Sequence, residues 1–199
     1  MKLAKYLTDS FYMEGIISDE DKTIIYFGLE SLAGNLLSAT MILLVGSLFK
    51  HTKSAFLLWL LLFPLRKNSG GYHAATKTRC LFISLIMIIT AFVIFTKFKF
   101  TLTFYGISAA INGCIIWILA PIDNSSKKFD AIEFNVYQKR SRVILVIECI
   151  IIILSLYLGW EVLLKSSSMA LFIASVLLLI GRFKKEGDDA IENVKQENN

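Results

Sequence analysis

His73 and Cys80 lie seven positions apart in one polar island that also holds Arg66, Lys67, Lys77, Arg79 and the pair Gly70-Gly71. Apolar runs flank the island on both sides, at residues 54–65 and 81–96. Ionisable groups close to membrane depth are costly to keep there, so they are functional candidates by default. A thiol attacks as its thiolate, and an imidazole or nearby cations lower its pKa. His73 is therefore the candidate base for Cys80, taking the thiol proton and later returning it to a leaving amine. Arg66 and Arg79 add positive potential. Cys80 also opens an apolar helix, where the N-terminal amides favour an anion.

The spacing sets a condition on the backbone. On one continuous helix, positions i and i+7 share a face but lie about 10.5 Å apart along the axis, too far for these side chains to hydrogen-bond. A catalytic pair needs a backbone bend between His73 and Cys80, and Gly70-Gly71 just upstream permits unusual torsions that could free the histidine to fold back over the helix end. A single helix through residues 70–85 would count heavily against the pair. Taken singly, each residue has a plainer role: a cysteine that packs, a histidine at the interface, arginines that anchor orientation. Their concentration in one island is what favours chemistry. A third group to orient His73 is open among Asn68, Ser69, Ser84, Asn112, Asp123 and Glu148.

The elements that must position this island are apolar helices. The 199-residue chain is 55% hydrophobic, with a mean hydropathy of +0.62 and 2 prolines. Its apolar residues come in blocks at 27–49, 54–65, 81–96, 101–120, 143–160 and 168–181. A membrane-crossing helix takes about 20 such residues. The fold class expected is all-α: a polytopic integral membrane bundle of about six membrane helices, one short or re-entrant, with an N-terminal amphipathic helix in the interface. The short one is residues 54–65, expected to end near Pro64 and to leave the island partly sunk in a protein-lined cavity. Residues 1–185 read as a single membrane-embedded domain with 1–22 as an interfacial arm, and 186–199 as a charged, flexible tail. Ser18-Asp19-Glu20-Asp21 has the pattern of a helix N-cap with an acidic first turn.

Charge sets the expected orientation. If all six blocks cross, only Lys50, Lys53, Lys97, Lys99 and Lys165 of the 21 Lys and Arg fall on one side of the membrane. The crowded side is the cytoplasmic one by the positive-inside rule, which puts both termini and the island there, in the cell membrane. Acidic residues at Asp9, Glu14 and Asp19 through Asp21 do not fit a cleavable signal peptide, so the first span is expected to act as an uncleaved insertion signal. The net charge of +5 flanks apolar runs and is a topology signal rather than a nucleic-acid surface. Cys80, Cys114 and Cys149 form no paired-ligand spacing with His51 or His73, so neither a zinc site nor a disulfide framework is expected. No metal and no cofactor are assigned.

The run Arg66-x3-Gly70-Gly71-Tyr72-His73-Ala74-x5-Cys80 resembles the core motif of the AgrB (accessory gene regulator B) family. Ile25-Tyr26-Phe27-Gly28-Leu29-Glu30 and Ala120-Pro121-x5-Lys127-Lys128 are softer matches, and the resemblance covers essentially the whole chain. It implies a membrane cysteine endopeptidase that matures an AgrD-type quorum-sensing precursor peptide. Cys80 would attack the bond before the precursor's C-terminal tail, with His73 as base. An internal Cys or Ser of the precursor would then capture the acyl group as a thiolactone or lactone. The implied partners are that precursor, the lipid bilayer and a second copy in a homodimer. The acidic tail would be drawn to the island arginines and to Lys127, Lys128, Lys139, Arg140 and Arg142. A reading from another class is a small peptide transporter or export permease in which Cys80 is structural.

Overall fold

The structure is a computed structural model that describes residues 2–70, 77–98, 100–122 and 130–197. Seven helices follow one another in the described residues: α1 (Lys2–Met13), α2 (Asp19–Leu48), α3 (Thr52–Ser69), α4 (Lys77–Lys97), α5 (Leu102–Leu119), α6 (Ala131–Leu158) and α7 (Glu161–Glu197). The fold is an all-α membrane bundle. α2, α5, α6 and residues Glu161–Lys184 of α7 are long and apolar enough to cross a bilayer. The chain divides into two compact units, Met1–Met41 and Ile42–Asn199.

In the first unit, local chemistry explains each helix end. α1 stops where Gly15 takes φ +71°, and Ile16 N–H donates back to the Phe11 carbonyl at 2.9 Å. Ser18 caps α2 as its sequence pattern predicts. The Asp21 N–H donates to Ser18 Oγ at 3.3 Å, and the Ser18 hydroxyl donates to Asp21 Oδ2 at 2.7 Å. Lys22 ties α2 to α1, 3.2 Å from Asp9 Oδ1 and 4.4 Å over the Tyr12 ring.

In the second unit, α7 is the central element and packs against α3, α4, α5 and α6. A helix buried nearly all round must be apolar or small nearly all round. The run from Leu164 through Ser175 fits that demand: Ser166, Ser167, Ser168, Ala170, Ala174 and Ser175 are all buried. Small residues let backbones approach, and their hydroxyls find partners across the interface. The Ser166 hydroxyl donates to the Ser54 carbonyl on α3, the Ser168 hydroxyl to the Tyr105 carbonyl on α5, and the Ser175 hydroxyl to Asn112 Oδ1 on α5.

These contacts also set directions. Ser166 meets Ser54 near the start of both helices, and the α5–α7 contacts advance in step, so α3, α5 and α7 run parallel. Methyl groups of Leu156 lie beside Gly106, and one of Leu145 lies beside Gly113, so α6 runs the opposite way. Gly46 near the end of α2 sits where a Cβ would collide with Ala55 on α3, which makes α2–α3 a tight hairpin. Phe49 stacks on Phe92 of α4 at 5.8 Å, joining α4 to the same end. One end of the unit therefore carries the α2–α3 and α6–α7 turns and the finish of α4. The other end carries the finishes of α3 and α5 and the starts of α4 and α6.

One expectation is corrected. α3 does not stop near Pro64 but continues to Ser69, giving about 27 Å of helix. Proline removes one intrahelical N–H bond and does not forbid the next turn. Leu61, Leu62, Leu65 and Ser69 are all buried, and that packing outweighs the lost bond. The Asn68 side-chain amide donates to the Pro64 carbonyl at 2.8 Å, and the Ser69 hydroxyl to the Leu65 carbonyl at 2.8 Å.

Candidate functional site

α3 ends abruptly. Gly70 adopts φ 70° and ψ −142°, a conformation open to glycine and strained for any other residue. That turn lays the chain against the segment leaving α5. Ile122 N–H donates to the Ser69 carbonyl at 3.2 Å, and Gly70 and Ile122 form an isolated parallel bridge. A Cβ on Gly70 would come within 2.6 Å of the Ile122 carbonyl oxygen, so the approach itself requires glycine. Ala120 and Ile122 are buried, and the Ala120–Pro121 bond is cis.

This bridge joins two segments far apart in sequence. From Gly70 the chain enters residues 71–76, and from Ile122 it enters residues 123–129. Gly71, His73, Lys127 and Lys128 fall in those two stretches and lie outside the described residues. Cys80 belongs to the first turn of α4, which begins at Lys77. Arg79 precedes it and is exposed, while Arg66 is half-buried in the last turn of α3. Gly70 is non-helical, so no helix runs unbroken from α3 into α4; the backbone between His73 and Lys77, on which the spacing of His73 and Cys80 depends, lies outside the described residues.

Charge is distributed unevenly between the two ends of the second unit. The end bearing the bridge carries Arg66, Lys67, Arg79, Lys139, Arg140, Arg142, Arg182 and Lys184. The opposite end carries Lys50, Lys53, Lys97 and Lys165, and Lys165 is paired with Glu161 at 2.8 Å. An anionic segment of a substrate would meet the bridge end first.

Several groups considered as orienters of His73 are engaged elsewhere. Asn68 and Ser69 donate to their own helix, and Asn112 bonds Ser108 and Ser175. Glu148 differs: it is 2% exposed, and both carboxyl oxygens lack a hydrogen-bond partner among the described residues. It lies about 14 Å further along α6 than Lys139, on the buried stripe Ser141, Leu145, Glu148, Ile152 and Ser155. Cys114 and Cys149 are free thiols, the first exposed and the second half-buried. No group of three or more His, Cys, Asp or Glu able to hold a metal occurs among the described residues. The bridge partner Ile122 was invisible to sequence reasoning, because an apolar residue after a proline carries no chemical signal. Only its place beside the softer Ala120-Pro121 match hinted at it.

A polytopic helical membrane protein with a glycine-dependent turn at the cationic end of its second unit is the class these features define. The family model for accessory gene regulator B matches residues 1–181, and the chain belongs to that family. It is 28% identical over 183 residues to an AgrB-like protein of Clostridium perfringens (strain SM101, type A), covering 86% of this chain and 85% of that one. A second AgrB-like protein, from C. perfringens strain 13, is 28% identical over 171 residues, with 80% of each chain covered. No solved structure matches. Membership gives the chain a role in the accessory gene regulator system, a membrane context and an AgrD-type partner.

Proposed function

We propose that this protein is a membrane cysteine endopeptidase that removes the C-terminal tail of an AgrD-type precursor and closes the remaining segment into a ring. The observation that carries the reading is the Ser69–Ile122 hydrogen bond. It starts the His73 segment and the Lys127-Lys128 segment from one point, at the end of the unit where α4 brings in Cys80. In this reading His73 takes the proton of the Cys80 thiol, and the thiolate attacks the carbonyl carbon before the tail. The C–N bond breaks, His73 returns the proton to the leaving amine, and an acyl-thioester remains. A Cys or Ser side chain of the precursor then attacks that thioester, losing its proton as Cys80 regains one. Ring closure competes with hydrolysis, so shielding the thioester from bulk water favours the cyclic product.

Arg66, Arg79, Lys127 and Lys128 attract the acidic tail, Gly70 shapes the turn, and Gly71 belongs to the supporting residues of the same proposal. The bridge end faces the cytoplasm in this reading, since it carries the excess of cations. A homodimer belongs to the same proposal on the family resemblance alone.

Co-expression with a cognate precursor tests the chemistry. Cys80→Ala and His73→Ala should each abolish tail removal at normal protein levels. Processing retained by Cys80→Ala would refute the endopeptidase and favour a carrier in which the thiol is structural.

A further inference from the structure

A groove of about 380 Å³ runs along the outer face of α6 beside Trp117 of α5. Its lining changes character along the helix axis. Gln138, Lys139 and Arg142 form the upper part, and Val143, Val146 and Ile147 the lower. No carboxylate lines it among the described residues. The Arg142 guanidinium lies over the Trp117 ring, 4.9 Å from its centroid, and its buried Nε has no hydrogen-bond partner among the described residues. Stacking on an aromatic face holds a guanidinium in place without neutralising its charge.

The depth of these residues follows from helix length. α6 has 28 residues and ends at Leu158, where Gly159 in the left-handed conformation closes it. A hydrocarbon core takes about 20 helical residues, and counting that many back from Leu158 reaches Lys139. Lys139 therefore sits at the edge of the hydrocarbon and Arg142 one turn inside it, both within a side chain's reach of lipid phosphates, with Val143, Val146 and Ile147 beside the acyl chains. Those three valine and isoleucine side chains are about half exposed. The groove opens sideways towards lipid.

We infer that this groove is a binding site for one anionic diacyl phospholipid, its phosphate between Lys139 and Arg142 and an acyl chain along Val143, Val146 and Ile147 against Trp117. The charge and the change from polar to apolar lining match that ligand at the depth it occupies. A soluble acidic peptide matches only the upper half and would leave the lower half bare. Two cations within reach of the headgroups are enough for a preference of about tenfold over a zwitterionic lipid.

The test uses the full chain, purified in detergent, stripped of lipid and titrated with phosphatidylglycerol or phosphatidylcholine under native mass spectrometry. One saturable phosphatidylglycerol adduct per chain is expected, about tenfold tighter than phosphatidylcholine. The double variant Lys139→Gln/Arg142→Gln should lower phosphatidylglycerol to the phosphatidylcholine level. Val146→Trp, which fills the apolar half without touching charge, should weaken both lipids. Equal binding of the two lipids by the unaltered protein overturns the site, and this comparison needs no variant to fold. Displacement of bound phosphatidylglycerol by an equimolar glutamate decapeptide also overturns it and makes the groove a peptide surface.

Discussion

Gly70 shows what a single residue contributes here. It ends α3, holds φ +70° and leaves no room for a Cβ beneath the Ile122 carbonyl. Alanine at this position would meet a strained conformation costing about 1–3 kcal/mol and a contact that cannot form without moving the bridge. Gly70→Ala should therefore reach the membrane in normal amounts yet process its precursor at least tenfold more slowly, as measured by tail release in membranes. Full activity would show that the bridge does not matter to the site. The bend required between His73 and Cys80 falls on residues outside those described. What was legible beforehand is that Gly70-Gly71 permits unusual torsions, and Gly70 adopts them. Its partner was not, because hydrogen bonding between backbones fifty residues apart leaves no mark on the residue types involved.

Local chemistry decides the limits of several helices, and at Ser18 the sequence pattern had already marked it. Ser18 capping α2, Thr101 capping α5 through the Phe104 N–H at 3.3 Å, and Gly159 closing α6 are all of this kind. α3 is the exception, since burial of Leu65 and Ser69 carries it past Pro64. α6 raises a different question at this scale. Glu148 occupies a core position between Leu145 and Ile152, and a buried polar group without a partner costs about 1–3 kcal/mol. Glu148→Leu keeps the stripe apolar and should stabilise the protein by a similar amount, seen as a higher melting temperature in detergent. A lower melting temperature would mean that the carboxyl has a partner outside the described residues.

At the scale of the second unit, the described cations gather at the bridge end, and the positive-inside rule predicts an orientation from that gathering. In a background with Cys80, Cys114 and Cys149 replaced by serine, His51→Cys lies at the opposite end, in the α2–α3 turn. It should react with a membrane-impermeant maleimide in intact cells. Glu133→Cys, in the first turn of α6, should react only after the membrane is opened. The reverse labelling pattern would place the proposed active site outside the cell and remove the rationale for a cytoplasmic precursor.

The sequence by itself determined the material and the chemistry. Runs of apolar residues can satisfy their backbone in a bilayer only as helices, the flanking cations mark which ends share a side, and the Arg66-to-Cys80 run carries the family resemblance. The tertiary structure decided which ends meet. α7 became the centre because its serines and alanines let α3 and α5 approach, and that packing fixed the finishes of α3 and α5 side by side. The Ser69–Ile122 bond then forms between carbonyl and amide groups that every residue type possesses, which is why only the fold could reveal it.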